Sequence, residues 1–421
     1  MFTKSLAIVI FLMSATAVEV GPVRLADIAF GLGLSAIVAI HLFRVSNRDN
    51  AETTLVTFFT ALILSCIVSW LIQLSFASSE VIEAGYTNAI IVPCAIFFAI
   101  IAVISFSNAE LVKFASEMSL IYSVLLVAIL LWWLFFPQPA WLKIDYEMTY
   151  RFSALSLNPN QLALVLLPLP FFSYLGWKYN NKSRAVALSE VICALTINGF
   201  CLGKALFVAW MLGLALPIYI DTIIHSEKYR FYYIFSGIVG APAILLAVFH
   251  VLDSFYAGRG PGSIEGQGEN RLAAWTNGLL AWKDAFLFGH GPGAFSGVYG
   301  PYEHMEAHNT PIDWAASYGL IGVVLLISFF GFAFKRAFEN REWSTAGYFF
   351  SLVIQSFFHF YGRQPFYWLW WTIGFAFVAT AAARREKSPL SGRRSTTAVA
   401  RPSHAVGALA RGHGRKGPWT S

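Results

Sequence analysis

Apolar stretches long enough to cross a lipid bilayer recur along most of this chain. A helix needs about 20 residues to span about 30 Å of hydrocarbon. Only 12% of the 421 residues are charged, so the chain lacks the polar surface that a soluble globular protein needs. The sequence therefore predicts an all-α polytopic integral membrane protein with about twelve transmembrane helices. They are expected near residues 5–18, 26–43, 54–77, 88–107, 118–136, 160–176, 185–202, 205–224, 231–252, 312–334, 343–361 and 365–383.

The distribution of Lys and Arg predicts the orientation, because short basic loops stay on the cytoplasmic side of a membrane. With the N-terminus inside, 21 of the 29 Lys and Arg residues fall on the inner side. The chain then divides into helices one to nine at 1–252, one large outer loop at 253–311, helices ten to twelve at 312–383, and a disordered basic cytoplasmic tail at 384–421. The outer loop holds 11 of the 32 glycines.

The ends of the chain and its cysteines have plain interpretations. Ala15-Thr16-Ala17 is typical of signal-peptide cleavage, which would remove one helix and leave the other topology unchanged, but we expect the first helix to be retained. The basic tail is expected to contact anionic membrane lipids rather than nucleic acid. All four cysteines lie in or beside apolar stretches, so no disulfide framework, zinc site or other cofactor is predicted.

The large outer loop is where chemistry is expected, because long loops in compact proteins usually carry function. After Arg271, bulky apolar side chains recur at helical spacing, namely Leu272, Trp275, Leu279, Trp282 and Phe286. This spacing predicts an amphipathic helix at the membrane surface, with Arg271 and Trp275 on one face at its start. The same pair is equally typical of a simple anchor among lipid headgroups.

Three glycines in the segment 289–293 impose a tight backbone after that helix. The N–H groups of such a segment can cradle a phosphate, which makes Gly291 and Gly293 candidates for substrate binding. Taken alone, the pattern is more often an ordinary turn.

The segment before the tenth predicted helix contains a second candidate site. Thr310 suits a helix N-cap and Pro311 the first helical position. His308 and Asn309 then lie beside a helix N-terminus, which favours an anion and lowers the pKa of the His308 imidazolium. A histidine that titrates near neutrality can serve as a general base.

Three more polar residues are assigned to the same outer face. Lys204 lies in a very short turn between two apolar stretches, and Arg151 and Asn160 flank the start of the sixth predicted helix. Charged residues at membrane depth are functional candidates, although Lys204 also suits a snorkelling role and the Asn-Pro step a helix cap.

The order of these features resembles the O-antigen ligase and polymerase superfamily. The likeness consists of Asn-Pro-Asn at 158–160, a basic residue in a short outer turn, Arg271 followed by Trp275, the glycine segment, and His308-Asn309 followed by glycines in the next helix. It covers about residues 151 to 326 and is strongest from 271 to 322.

This resemblance implies a metal-independent, inverting glycosyltransferase of the bacterial inner membrane, with the outer loop in the periplasm. Members transfer a glycan from an undecaprenyl diphosphate carrier to a sugar hydroxyl of another glycan or of the lipid A core. Arg271 would hold the diphosphate and His308 would lie at the reacting centre. Lys204 departs from the family pattern, which usually has an arginine, and lysine lacks the bidentate fork for phosphate. The choice between ligase and polymerase therefore stays open.

Two other functions were weighed. His304 and His308 have the spacing of a zinc protease, but such a helix needs Glu directly after the first histidine, where this chain has Met305. A non-enzymatic flippase or transporter of lipid-linked oligosaccharides is the alternative. Such a protein should carry polar residues at mid-membrane, whereas most charges here lie at the ends of the predicted helices.

Overall fold

The computed structural model describes residues 2–13, 15–20, 23–26, 28–33, 50–76, 79–136, 152–156, 159–201, 203, 205–213, 264–293 and 306–386. The backbone divides into two units, Met1–Ala381 and Ala382–Ser421. The described residues are helical, apart from turns and one small antiparallel ladder that pairs Glu19 with Arg24 and Val20 with Val23.

The elements follow one another in a single order along the chain. They are α1 (Phe2–Leu12), β1 (Glu19–Val20), β2 (Val23–Arg24), α2 (Asn50–Phe76), α3 (Ser79–Ser105), α4 (Asn108–Phe135), α5 (Pro159–Leu166), α6 (Leu169–Tyr179), α7 (Arg184–Cys201), α8 (Ile264–Asp284), α9 (Thr310–Glu339), α10 (Trp343–Ser356) and α11 (Pro365–Glu386). Residues 28–33 and 205–213 are also helical.

Within the described ranges, seven segments are helices long and apolar enough to cross a membrane. They are Thr53–Ser75, Asn88–Ser105, Asn108–Phe135, Pro159–Tyr179, Arg184–Cys201, Thr310–Glu339 and Pro365–Arg385. The prediction of a helical, multi-pass membrane protein is thereby confirmed in its general form. The predicted helix at 231–252, and most of those at 26–43 and 205–224, lie outside the described residues, so the number twelve stays a prediction.

Local sequence explains how individual helices begin and break. Helix α4 starts with a capping box, in which Ser107 accepts the N–H of Glu110 at 3.3 Å and Glu110 accepts the N–H of Ser107 at 2.9 Å. The predicted helix at 160–176 is divided into α5 and α6 at Pro168, since proline cannot donate to the preceding helical turn.

An aromatic cluster joins α9, α10 and α11. The ring centroid of Trp371 lies 5.1 Å from that of Phe330 and 5.1 Å from that of Phe349, stacked in both cases, and 5.2 Å from that of Phe329. Pairs of this kind are each worth about 0.5–1.5 kcal/mol beyond burial. The cluster packs α10 and α11 against α9, and so positions the loop between α10 and α11.

Helix α9 is interrupted at Gly319, whose dihedrals of φ 65° and ψ −163° are not helical. The segment that follows α8 fills the interruption: His290 N donates to Ala316 O at 2.8 Å, and Leu320 N donates to Phe286 O at 2.8 Å. These bonds satisfy backbone groups that would lack a water partner inside a bilayer. A predicted continuous helix at 312–334 is thus two helical pieces joined at a glycine.

The contact between the two segments requires glycine on both sides. A Cβ on Gly319 would overlap the backbone of Leu287, and a Cβ on Gly289 would overlap the backbone of Ser317. Gly289 also has a positive φ of 69°. The segment that follows the C-terminal end of α8 therefore holds this helix against α9 through close backbone contact.

Candidate active site

Asn309 caps the start of α9. Its backbone is extended, with φ −145° and ψ 105°, and its side-chain oxygen accepts the N–H three residues later at 3.1 Å. The prediction that Thr310 is the cap and Pro311 the first helical residue is wrong by one position, because the helix begins at Thr310. The Thr310 hydroxyl instead donates to His359 O at 2.5 Å and accepts from Tyr361 N at 3.0 Å.

A buried carboxylate holds the turn that precedes α9. Asp313 is 2% exposed, and its two oxygens accept the N–H groups of Ala307 at 2.7 Å and Asn309 at 3.0 Å. His308 lies between these two anchored residues. Its backbone is therefore fixed from both sides.

His308 has a left-handed backbone conformation, with φ 52°. This conformation costs a residue other than glycine about 1–3 kcal/mol and persists where the surrounding structure enforces it, often at functional sites. The half-buried ring lies 6.2 Å from the ring of His359, centroid to centroid. Its Nδ1 lies 3.9 Å from Oε2 of Glu306.

Arg363, in the loop between α10 and α11, forms an ion pair with Glu306 through Nη1 and Oε1. The Glu306 side chain is 10% exposed and that of Arg363 is 35% exposed, so the pair lies at the edge of the buried region. The loop packs closely on the first turns of α9, because a Cβ on Gly362 would come within 2.8 Å of Cζ3 of Trp314. This packing brings Arg363 to the same cluster as His308.

Arg271 reaches the cluster from α8. Its Cζ lies 6.0 Å from the centre of the Phe358 ring, and its charge acts on the ring of His308. Helix α8 can approach this closely because a Cβ on Gly278 would lie 2.6 Å from Cγ2 of Ile312. Helix α8 begins at Ile264, so the prediction that Arg271 stands at the start of the helix is wrong.

The electrostatic surroundings keep the His308 ring neutral. Burial first, and then the positive charges of Arg271 and Arg363, lower its pKa from 6.5 to about 4. The direction agrees with the sequence expectation, although burial and the two arginines are the causes here. Burial raises the pKa of Glu306 above 4.5, while the neighbouring Arg363 acts in the opposite direction.

The cluster combines anion-binding groups with a proton acceptor. Arg271 and Arg363 are permanently charged donors suited to phosphate oxygens. A neutral His308 can take a proton from a hydroxyl. Among the residues that the structure describes, no three His, Cys, Asp or Glu side chains group as metal ligands. His304, the other histidine of the protease spacing, lies outside the described residues.

The glycine segment packs closely against α9 and α2. Gly291 N donates to Ser317 O at 2.9 Å, and a Cβ on Gly291 would come within 2.5 Å of Oε1 of Gln73 in α2. The N–H of Gly291 is therefore occupied by a backbone partner, and a role of this residue in substrate binding stays a prediction. Gly293 is buried two residues later.

The remaining candidates stay predictions. Trp275 is half-buried on α8, and within the described part of the chain its buried Nε1 has no hydrogen-bond partner. Asn160 is half-buried as the second residue of α5. Lys204 and Arg151 lie outside the described residues.

Sequence reasoning missed Glu306 and Arg363 as members of the site. Neither residue belongs to any of the sequence motifs described above. The two residues are distant in the chain, and no spacing rule joins them. The site has to be interpreted from its own residues, because a scan against models of known protein families found no match and a search of curated proteins found none either.

Proposed function

We propose that this chain is a metal-independent, inverting glycosyltransferase of the O-antigen ligase or polysaccharide polymerase type. It transfers a glycan from an undecaprenyl diphosphate carrier to an acceptor sugar hydroxyl at the periplasmic face of the bacterial inner membrane. One observation carries the proposal: the charge of Arg271 on α8 reaches the half-buried ring of His308, which lies just before the start of a helix long and apolar enough to span a membrane.

An anionic lipid-linked donor suits the surroundings of Arg271. Charge-assisted hydrogen bonds from arginine to phosphate are each worth about 1.5–3 kcal/mol. The diphosphate gains negative charge as its bond to the sugar breaks, so a fixed positive charge stabilises the transition state more than the ground state. Leu272 and Leu279 are exposed on α8, and Phe286 is exposed just after its end, so this region offers an apolar surface to the lipid part of the donor.

His308 suits the acceptor side of the reaction. In a single displacement, the acceptor oxygen bonds to the anomeric carbon, and the bond from that carbon to the diphosphate oxygen breaks with its electron pair. The acceptor hydroxyl loses its proton, and a neutral imidazole can receive it. The lowered pKa of His308 keeps that imidazole neutral at physiological pH.

The test uses purified full-length protein in detergent micelles with a lipid-linked oligosaccharide donor and a glycan acceptor. Arg271→Ala should lower the rate of glycan transfer by about tenfold to more than a hundredfold, and Arg271→Lys should restore only part of it. Lys283→Ala, an exposed charge on the same helix, serves as the control and should transfer at the native rate.

The same experiment distinguishes the enzyme from a transporter. Micelles separate no compartments, so a flippase would yield no new glycosidic bond there. Native transfer by Arg271→Ala would leave this residue as a lipid anchor and remove the main support for the proposal. The glycan of a deletion strain then decides the subtype: loss of all polymer from the lipid A core indicates a ligase, and a single repeat left on the core indicates a polymerase.

A further inference from the structure

Glu306 lies between Arg363 and His308, the two residues that an anionic donor would contact. Its Oε1 pairs with Nη1 of Arg363, and its Oε2 lies 3.9 Å from Nδ1 of His308. The second distance is too long for a hydrogen bond, so the carboxylate is committed to the arginine and only adjacent to the histidine. A small rotation of the Glu306 side chain separates its pairing with Arg363 from a pairing with His308.

Glu190, a buried glutamate that is paired with Lys182, has a different environment. Oε2 of Glu190 accepts from Lys182 at 2.8 Å, from Ser119 at 2.8 Å and from Ser173 at 2.6 Å. That carboxylate is saturated with donors and is 2% exposed, as expected for a structural ion pair. Glu306 has the looser arrangement, at the edge of the buried region and beside a titratable ring.

We propose that Glu306 occupies Arg363 in the donor-free protein in the place of a phosphate group, and that the diphosphate of the donor displaces it. Arg363 then becomes a second arginine on the diphosphate, opposite Arg271. The released carboxylate turns to Nδ1 of His308. Arg363 is thus a binding residue, and Glu306 is a positioning residue that acts through His308.

The exchange couples donor binding to the proton transfer. When the other ring nitrogen of His308 takes the proton of the acceptor hydroxyl, the ring becomes an imidazolium beside Arg271 and Arg363, which is unfavourable for like charges. A bound diphosphate neutralises the arginines, and the Glu306 carboxylate offsets the new charge on the ring. After the glycan has moved, the proton leaves to solvent and Glu306 returns to Arg363. This inference rests on the proposed function for its proton step, whereas the exchange of anions on Arg363 stands on the geometry alone.

Binding of inorganic diphosphate to the full-length protein in nanodiscs tests the exchange without any need for transfer. Arg363→Gln should weaken binding by about tenfold to a hundredfold, since it removes a charged donor. Glu306→Gln removes the competing carboxylate and should tighten binding by about threefold to tenfold. Arg336→Gln, near the far end of α9, is the matched control and should bind as the native protein does.

The double variant makes the test specific. In the Arg363→Gln background, Glu306→Gln should no longer tighten diphosphate binding, because there is no guanidinium left to release. Additive effects of the two substitutions, or weaker binding by Glu306→Gln alone, would overturn the exchange. Absence of diphosphate binding to the native protein would overturn it as well.

Transfer kinetics provide the second readout. Glu306→Gln should lower KM for the lipid-linked donor and also lower kcat by at least about tenfold, because the imidazolium loses its partner. A purely structural role would not produce this opposite pair of effects. If the native protein binds diphosphate but transfers no glycan, the proposed function fails, while the binding cycle still decides the exchange on Arg363.

Discussion

The left-handed backbone at His308 decides which substitution can test its chemistry. Asparagine tolerates a positive φ better than alanine does, so His308→Asn removes the imidazole with little added strain. We expect His308→Asn to lower turnover by about 10² to 10⁴, the usual contribution of a positioned general base. The thermal unfolding temperature should stay close to the native value. Glycan transfer at matched protein level and a thermal melt check both outcomes.

The neighbouring histidine supplies the control for this prediction. His304 precedes the anchored turn at 307–309, and the corresponding His304→Asn variant should be much milder. Equal losses in the two variants, or a loss in His304→Asn alone, would mean that the base has been assigned to the wrong histidine.

The pH dependence of kcat/KM tests the electrostatics of His308, since this ratio reports the free enzyme. The folded pKa of about 4 lies below the ordinary 6.5, so the ring stays neutral as the pH falls through 6.5. We therefore expect no loss of kcat/KM between pH 7 and pH 6, and a decline only towards about pH 4.

The decline of kcat/KM at low pH (the acid limb of the profile) has to be assigned to His308 rather than to another titratable group. Glu306 is a second titratable group, whose pKa burial raises above 4.5, and Arg271, Arg363 and His359 lie near the His308 ring. Arg271→Gln removes one positive neighbour, so the pKa of His308 should rise and the acid limb of the variant should move to higher pH. An acid limb at the same pH in both proteins would mean that His308 is not the group observed.

At the scale of the elements, the interruption of α9 makes one glycine indispensable. Gly319 has φ 65°, and a Cβ there would overlap the backbone of Leu287. We expect Gly319→Ala to cost at least about 2 kcal/mol, from positive φ and from the clash together. The loss should appear as a lower unfolding temperature and as a lower transfer rate, because α8 carries Arg271.

The same helix provides a matched control. A Cβ on Gly331 would have nothing within 4 Å, and its backbone is helical. Gly331→Ala should be neutral or stabilise by up to about 1 kcal/mol. Equal stability of the two alanine variants would contradict the account of the interruption.

Sequence patterns predicted the elements that depend on neighbouring residues in the chain. They missed contacts between residues that are far apart in the chain. The apolar side chains after Arg271 predicted a helix. Its first turns, which contain Gly266 and Gly268, were not predicted, because glycine is a poor helix former. Gly319 lies within an apolar stretch that looks like one continuous helix. Hydropathy does not show that backbone groups beside Gly319 form hydrogen bonds with residues 286–291. The partners of the interruption come from an earlier part of the chain.

The candidate site follows the same rule. His308 and Asn309 were accessible from the chemistry of a helix start, although the cap proved to be Asn309 instead of Thr310. The ion pair of Glu306 and Arg363 depends on how α10 and α11 pack against α9. The aromatic cluster and the hydrogen bonds of Thr310 to the loop between α10 and α11 fix that arrangement, and a sequence pattern does not reveal it.

At the scale of the whole molecule, basic residues interact with groups near both ends of α9. Lys178 follows the sixth predicted helix and is therefore expected on the inner side. It donates to Glu342 at 3.1 Å, beside the basic end of α9 that carries Lys335 and Arg336. Arg271, in the predicted outer loop, and Arg363, just before the twelfth predicted helix, both lower the pKa of His308 near the other end of α9. Which of these residues share a side of the membrane stays a prediction.

Reporter fusions test which of these ends faces the cytoplasm. Because 21 of the 29 Lys and Arg residues fall on one side, a fusion after Arg385 should report a cytoplasmic position. A fusion near Gly266, at the start of α8, should report a periplasmic one. The end of α9 that carries Lys335 and Arg336 should then be cytoplasmic, and the cluster of Arg271, Arg363 and His308 periplasmic. A cytoplasmic signal at Gly266 would place that cluster on the side where a lipid-linked donor is assembled rather than transferred, and would remove the basis for the proposed reaction.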